Sequence, residues 1–174
     1  FAPIFQSTKR RSLWLGANLL TAILAAAAIG LFEATIEKVV TLAILMPIVA
    51  SMGGIAGMQS LALVIRSQAL DQIGSSNSRL LIIKEASIGV LNGILWSTVV
   101  ALAVYLWFSS IFLGIVIASA LMINLIIGAI SGVSLPLILS KLKIDPALAG
   151  GVILTTITDI VGFISLLGIA TLIM

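Results

Sequence analysis

The sequence predicts an all-α membrane protein with five transmembrane helices per subunit. Three observations carry this: 61% of the residues are hydrophobic and only 9% charged, the mean hydropathy is +1.32, and the apolar residues gather into five runs near the ~20 residues a helix needs to cross a hydrocarbon core. Helices are favoured because hydrocarbon offers no partner to backbone N–H and C=O groups, which must be satisfied within their own segment. The short alternating segments of a membrane barrel are not visible. The 174 residues read as one domain, 1–174, and a start at Phe1 rather than methionine reads as a piece of a longer chain.

The first run, roughly 13–31, follows Lys9, Arg10 and Arg11. It is long enough to span and lacks the small-residue cleavage pattern of a signal peptide. "FEATIEK" then connects to the second run, 39–65, which holds Pro47, Gly53, Gly54 and Gly57. Proline removes a backbone donor and glycine weakens a helix, so carbonyls are released where such a helix kinks or opens. The third run, 86–108, follows the polar stretch "RSQALDQIGSSNSR" and the pair Lys84–Glu85. The fourth, 112–135, carries Asn124, Gly128 and Gly132, a pattern for close helix packing with one hydrogen bond. The fifth, 147–174, opens after "SKLKID", with Asp145 as a helix N-cap and Pro146 at the first helical position. Trp14, Tyr105 and Trp107 sit near run ends, where amphipathic rings anchor at the membrane interface; Trp96 is deeper and is expected to pack.

Charge orients the runs. Eight of the nine basic residues fall on one side, only Lys38 on the other, so the N-terminus is expected to be cytoplasmic and the C-terminus outside. The net charge of +3 is better explained by this asymmetry than by nucleic acid, which is not an expected partner. Glu33 and Glu37 in the first outer connection either attract cations or are simply solvated. With no cysteine and no histidine, disulfides, thiolate or imidazole metal ligands and haem are excluded, so any metal is held by oxygen.

The fifth run contains the residue that points to function. Asp159 lies twelve residues beyond Ala147, which at ~1.5 Å per residue places it about 18 Å along the span, near the bilayer centre. A charge there costs at least ~2.5–3.5 kcal/mol. No run offers an interior basic partner, which leaves a protonated acid, a bound cation, or a second copy of the acid with a cation between. Gly151, Thr155 and Asp159 recur at spacing four, with Gly162 three further on, as a stripe of small and oxygen-bearing groups. Thr156 and Thr158 flank it, and threonine hydroxyls in such helices also bond their own backbone. Carboxylate, hydroxyl and carbonyl oxygens are hard donors suited to Mg2+, Ca2+ or Mn2+. A two-fold homodimer pairing two Asp159 would supply two negative charges. An enzyme is not expected, because an intramembrane protease needs a paired acid or a serine with a base.

"P-x5-G-G-x-x-G-x-Q-S" (Pro47, Gly53, Gly54, Gly57, Gln59, Ser60), "KE" (Lys84, Glu85), Asn124 and "DPA…TD-x-x-G" (Asp145, Pro146, Ala147, Asp159, Gly162) together resemble the transmembrane domain of the MgtE family of magnesium channels and transporters. The resemblance covers nearly the whole chain. It implies a homodimer in the inner (plasma) membrane, with a pore between subunits lined by the second and fifth spans: Gly53, Gly54, Gly57, Met58, Gly151 and Gly162. Asp159 is the implied metal-binding carboxylate, to which this sequence adds the Thr155 hydroxyl one turn away; Asp145 is implied near the cytoplasmic mouth, and Glu85 either guides ions there or pairs locally with Lys84. Cytoplasmic regulatory domains, including paired CBS modules, are implied ahead of the first span in full-length relatives; none lies within these residues. The sequence departs from the family at Ile55, Met58, Gly151 and Thr155, three of which replace polar pore positions with apolar or blank ones; Thr155 restores a hydroxyl. Mg2+ is the expected transported ion, with Mn2+ or Co2+ also admitted through these changes. Two other readings stay open: a proton- or Na+-coupled divalent cation carrier, and a non-transporting membrane anchor.

Overall fold

The computed structural model describes residues 4–73 and 77–174. Of the features singled out above, Phe1, the Arg10 side chain and the middle of the second connection, 74–76, lie outside the described residues. The elements are α1 (Ile4–Gly30), α2 (Glu33–Lys38), α3 (Thr41–Ala69), α4 (Ser78–Phe108), α5 (Ile111–Lys141) and α6 (Pro146–Ile173). Among the described residues there is no strand. Five of the helices, all but α2, are long and apolar enough to cross a membrane.

The helices outrun the apolar runs at their polar ends, most clearly where α4 begins at Ser78 and α5 continues to Lys141. Intrahelical hydrogen bonds do not require apolar side chains, so hydropathy underestimates helix length wherever a helix emerges into the headgroups. α2 is an element that hydropathy alone does not announce. Its buried Thr35 shares a hydrogen bond of 2.8 Å with Thr171 of α6, which ties the connection between α1 and α3 to the last helix. Glu33 and Glu37 point outward and exposed from it.

α3 is not interrupted by an opening: it runs as one continuous helix from Thr41 to Ala69 through Pro47 and its glycines. Those glycines are used for packing. α5 sits at the centre, contacting α3, α4 and α6, whereas α1 packs chiefly on α6. Gly53 and Gly57 of α3 meet Gly128 and Gly132 of α5 backbone to backbone: a Cβ at Gly128 would lie 2.5 Å from the Gly53 carbonyl oxygen, and one at Gly132 would overlap the Gly57 carbonyl. Gly89 of α4 also lies close to α5: a Cβ there would be 2.9 Å from the Ala129 Cβ and 3.3 Å from the Ile126 Cα. Small residues at spacing four let membrane helices approach this closely.

The two halves of the bundle differ. Around the starts of α3 and α5 and the ends of α4 and α6, a dense apolar core forms from Leu42, Leu45, Val49, Ile117, Leu166 and Leu167 with their neighbours. The other half holds glycine seams and buried polar groups. Trp96, expected to pack, is instead 43% exposed on the α4 surface. Trp107 stacks on Phe108 at the end of α4, with ring centroids 5.3 Å apart.

Candidate metal-binding site

α6 starts where the sequence placed it: the Asp145 carboxylate accepts from the Ala147 N–H at 3.0 Å, and Pro146 occupies the first turn. Asp159 is the fourteenth of the 28 residues that follow, at mid-helix. It is half-buried and lines a crevice of about 210 Å3 between α6 and α1, together with Thr155, Thr156, Asn18, Thr21 and Ala22. At ~30 Å3 per water, that space admits a partly hydrated ion.

The threonine hydroxyls that line the crevice bond their own helix backbone. Thr155 Oγ1 donates to the Gly151 carbonyl at 2.9 Å, and Thr156 Oγ1 to the Val152 carbonyl at 2.7 Å. With their protons spent on the helix backbone, both hydroxyls keep lone pairs for a cation or its waters. On the opposite wall Thr21 Oγ1 donates to the Asn18 carbonyl at 2.9 Å, leaving its own oxygen in the same state. Among the described residues no three carboxylate, imidazole or thiolate groups converge, and Asp159 is the one carboxylate lining this crevice.

The structure brings together only part of the predicted set. Thr155 and Asp159 share the crevice, and Thr156 joins them from the flank. Thr158 turns the other way, fully buried toward α3, where a Cβ on Gly54 would come within 3.7 Å of its Oγ1. Gly151 faces Met58 across the same α3–α6 seam, with a Cβ 3.8 Å from the Met58 Cε. Gly53, Gly57 and Gly162 are buried within the subunit against Asn124, Leu154 and Gly128. Asp145 is exposed, and Glu85 is buried between α3 and α4, accepting from Ser60 Oγ at 2.8 Å. Sequence reasoning does not find Asn18 and Thr21; their spacing of three, inside an otherwise apolar first run, is the available signal.

Asn124 holds the helices around the site. Fully buried on α5, it donates from Nδ2 to the Val49 carbonyl of α3 at 2.8 Å and fills the space that side chains on Gly53 and Gly162 would take. Its Oδ1 meets no donor among the described residues. Asn124→Ala is expected to cost about 1–3 kcal/mol, the loss of one buried hydrogen bond plus a small cavity between α3 and α6. Thermal denaturation in detergent should register it as a lowered midpoint.

Comparison with known proteins points to one family. Residues 46–169 match the family model MgtE, described as divalent cation transporter. The chain is 39% identical over 162 residues to a protein named magnesium transporter MgtE from Bacillus subtilis, covering 93% of this chain and 36% of that one. It is 30% identical over 161 residues to the protein of the same name from Thermus thermophilus, covering 92% and 36% respectively. The Enterococcus faecalis protein of that name is 28% identical over 172 residues, covering 99% of this chain and 38% of its own length. The chain thus spans little more than a third of the length of these curated relatives.

Proposed function

Because the chain belongs to the MgtE family of divalent cation transporters, we propose that it carries divalent metal cations across the membrane, Mg2+ foremost, through a channel-like pore between two copies whose Asp159 carboxylates hold the hydrated ion. The observation that carries this reading is a carboxylate at mid-helix in a crevice lined otherwise by Asn18, three threonines and Ala22, all uncharged. Mg2+ gives up its waters reluctantly and is commonly held through one or two carboxylates, which matches a site with room for a hydrated ion. One carboxylate per chain leaves a dication half-neutralised, and a two-fold partner supplies the second.

In this reading residues 1–174 are the transmembrane domain of a longer protein whose cytoplasmic regulatory domains lie outside this sequence. The N-terminus is cytoplasmic and the C-terminus outside, in a multi-pass protein of the inner (plasma) membrane, as the basic residues favour. Met58 and Gly151 at the α3–α6 seam remove polar contacts, so Mn2+ and Co2+ also pass. No bond is made or broken, and the role is transport.

The chain reconstituted in liposomes is expected to admit Mg2+ down its own gradient, with no proton or Na+ gradient imposed. A fluorescent Mg2+ indicator inside the vesicles reads this directly. Uptake that appears only when a proton or Na+ gradient is applied assigns a coupled carrier instead, and no uptake by folded protein assigns a membrane anchor.

A further inference from the structure

A second buried carboxylate lies away from Asp159. Glu85 is 6% exposed, and Ser60, which donates to its Oε2 at 2.8 Å, is 4% exposed. Both line a crevice of about 210 Å3 among α3, α4 and α5, whose other polar lining is Gln59 and Asn92. The adjacent Lys84 lines a different crevice, with Ser67 and Asn77, so Glu85 shares its own with no basic residue. A carboxylate has about four acceptor positions and Ser60 fills one, while burial of its charge demands compensation.

The rim of this crevice indicates a wet environment. Gln59 and Asn92 are exposed, and Asn92 is the fifteenth of the 31 residues of α4, at mid-helix. A primary amide at that depth is costly against hydrocarbon and is tolerated against protein or a water-filled cavity. Carboxylate, hydroxyl and two amide oxygens make a hard-donor set of the kind that suits Mg2+ and Mn2+.

We propose that Glu85, Ser60, Gln59 and Asn92 form a second cation site, which holds a hydrated divalent ion beside the path from Asp159 to the cytoplasm. Ser60 is six residues beyond Gly54, which packs at the level of Thr158; at ~1.5 Å per residue the second site lies about 9 Å further along α3. Successive binding sites of this kind let an ion bind well enough to enter and still leave. The inference rests on the transport reading for the origin of the ion, while its binding test does not depend on flux.

Mn2+ titration followed by electron paramagnetic resonance, on the purified chain in nanodiscs, tests it. Mn2+ takes the same oxygen ligands as Mg2+, and the bound ion is distinguishable from the free one. With Asp159→Asn removing the first site, about one Mn2+ per chain should remain bound, and adding Glu85→Gln should weaken it at least ~10-fold. Glutamine still offers Ser60 an acceptor, so a purely structural Glu85 would leave Mn2+ binding unchanged, which overturns the proposal. Loss of all Mn2+ binding with Asp159→Asn alone overturns it as well. Asn92→Leu, which spares the Ser60–Glu85 bond, should also weaken binding; it decides the matter if the Glu85 variant fails to fold, and unchanged affinity would then reject the site. Failure of the transport reading would look different: Mn2+ bound at Glu85 but no flux in vesicles.

Discussion

Asp159→Asn is expected to reduce Mg2+ influx into liposomes at least ~100-fold, with little change in folding. The magnitude follows from Coulomb's law: at ~5 Å and an effective dielectric of about 20, a carboxylate and a dication attract by roughly 6–7 kcal/mol. Much of this is returned as desolvation, but retaining even ~2.7 kcal/mol corresponds to that 100-fold loss. Asparagine keeps the volume and a carbonyl oxygen, so the crevice with Thr155, Thr156, Asn18 and Thr21 stays intact while its charge disappears. Removing an unpaired charge from mid-membrane also relieves an insertion cost, so the variant should be no less stable than the parent. Fluorescent-indicator influx and a thermal melt on the same preparation separate the two effects. Influx equal to that of the parent chain would remove Asp159 from the ion path.

Gly128→Val is expected to destabilise the fold by more than ~3 kcal/mol, a larger structural effect than that of Asn124→Ala. A Cβ at Gly128 would meet the Gly53 carbonyl oxygen at 2.5 Å and the Gly57 amide nitrogen at 3.5 Å, and both are backbone atoms of a continuous helix. Neither can rotate away, so α3 must separate from α5. That separation would also pull Val49 from the Asn124 amide and loosen Gly57 from Leu154 of α6. Size-exclusion profiles and thermal melts in detergent check the result; a melt within a degree or two of the parent would mean that the α3–α5 crossing tolerates the added volume. Gly16, whose Cβ would meet nothing within 4 Å, is the internal control, and Gly16→Ala should be neutral or slightly stabilising.

Much of the candidate site is legible in the sequence. Asp159 stands out because a carboxylate without a basic partner is anomalous in a twenty-residue apolar run, whatever the fold. Asp145 and Pro146 announce the start of α6 because capping is local chemistry, set by residues one or two positions apart. The role of Asn124 in joining helices also follows from its type and depth. In contrast, Asn18 and Thr21 belong to a helix whose place beside α6 no local signal gives, and the burial of Glu85 beside Ser60 depends on how α3 and α4 meet.

The division has one physical cause. Sequence by itself determined that the chain is helical, that five segments are long and apolar enough to span a membrane, and that one acid sits in the middle of the last, because these follow from the cost of exposing polar groups to hydrocarbon. Only the tertiary structure decided which face of each helix meets which neighbour. In a soluble protein an apolar stripe marks the buried face, but lipid is as apolar as the protein interior, so these helices are hydrophobic on all sides and hydropathy does not distinguish the two. What selects the contacts instead is close fit: Gly53 and Gly57 against Gly128 and Gly132, and Asn124 in the space left by Gly53 and Gly162. Such fit is a property of two surfaces at once, and it exists only when both helices are in place.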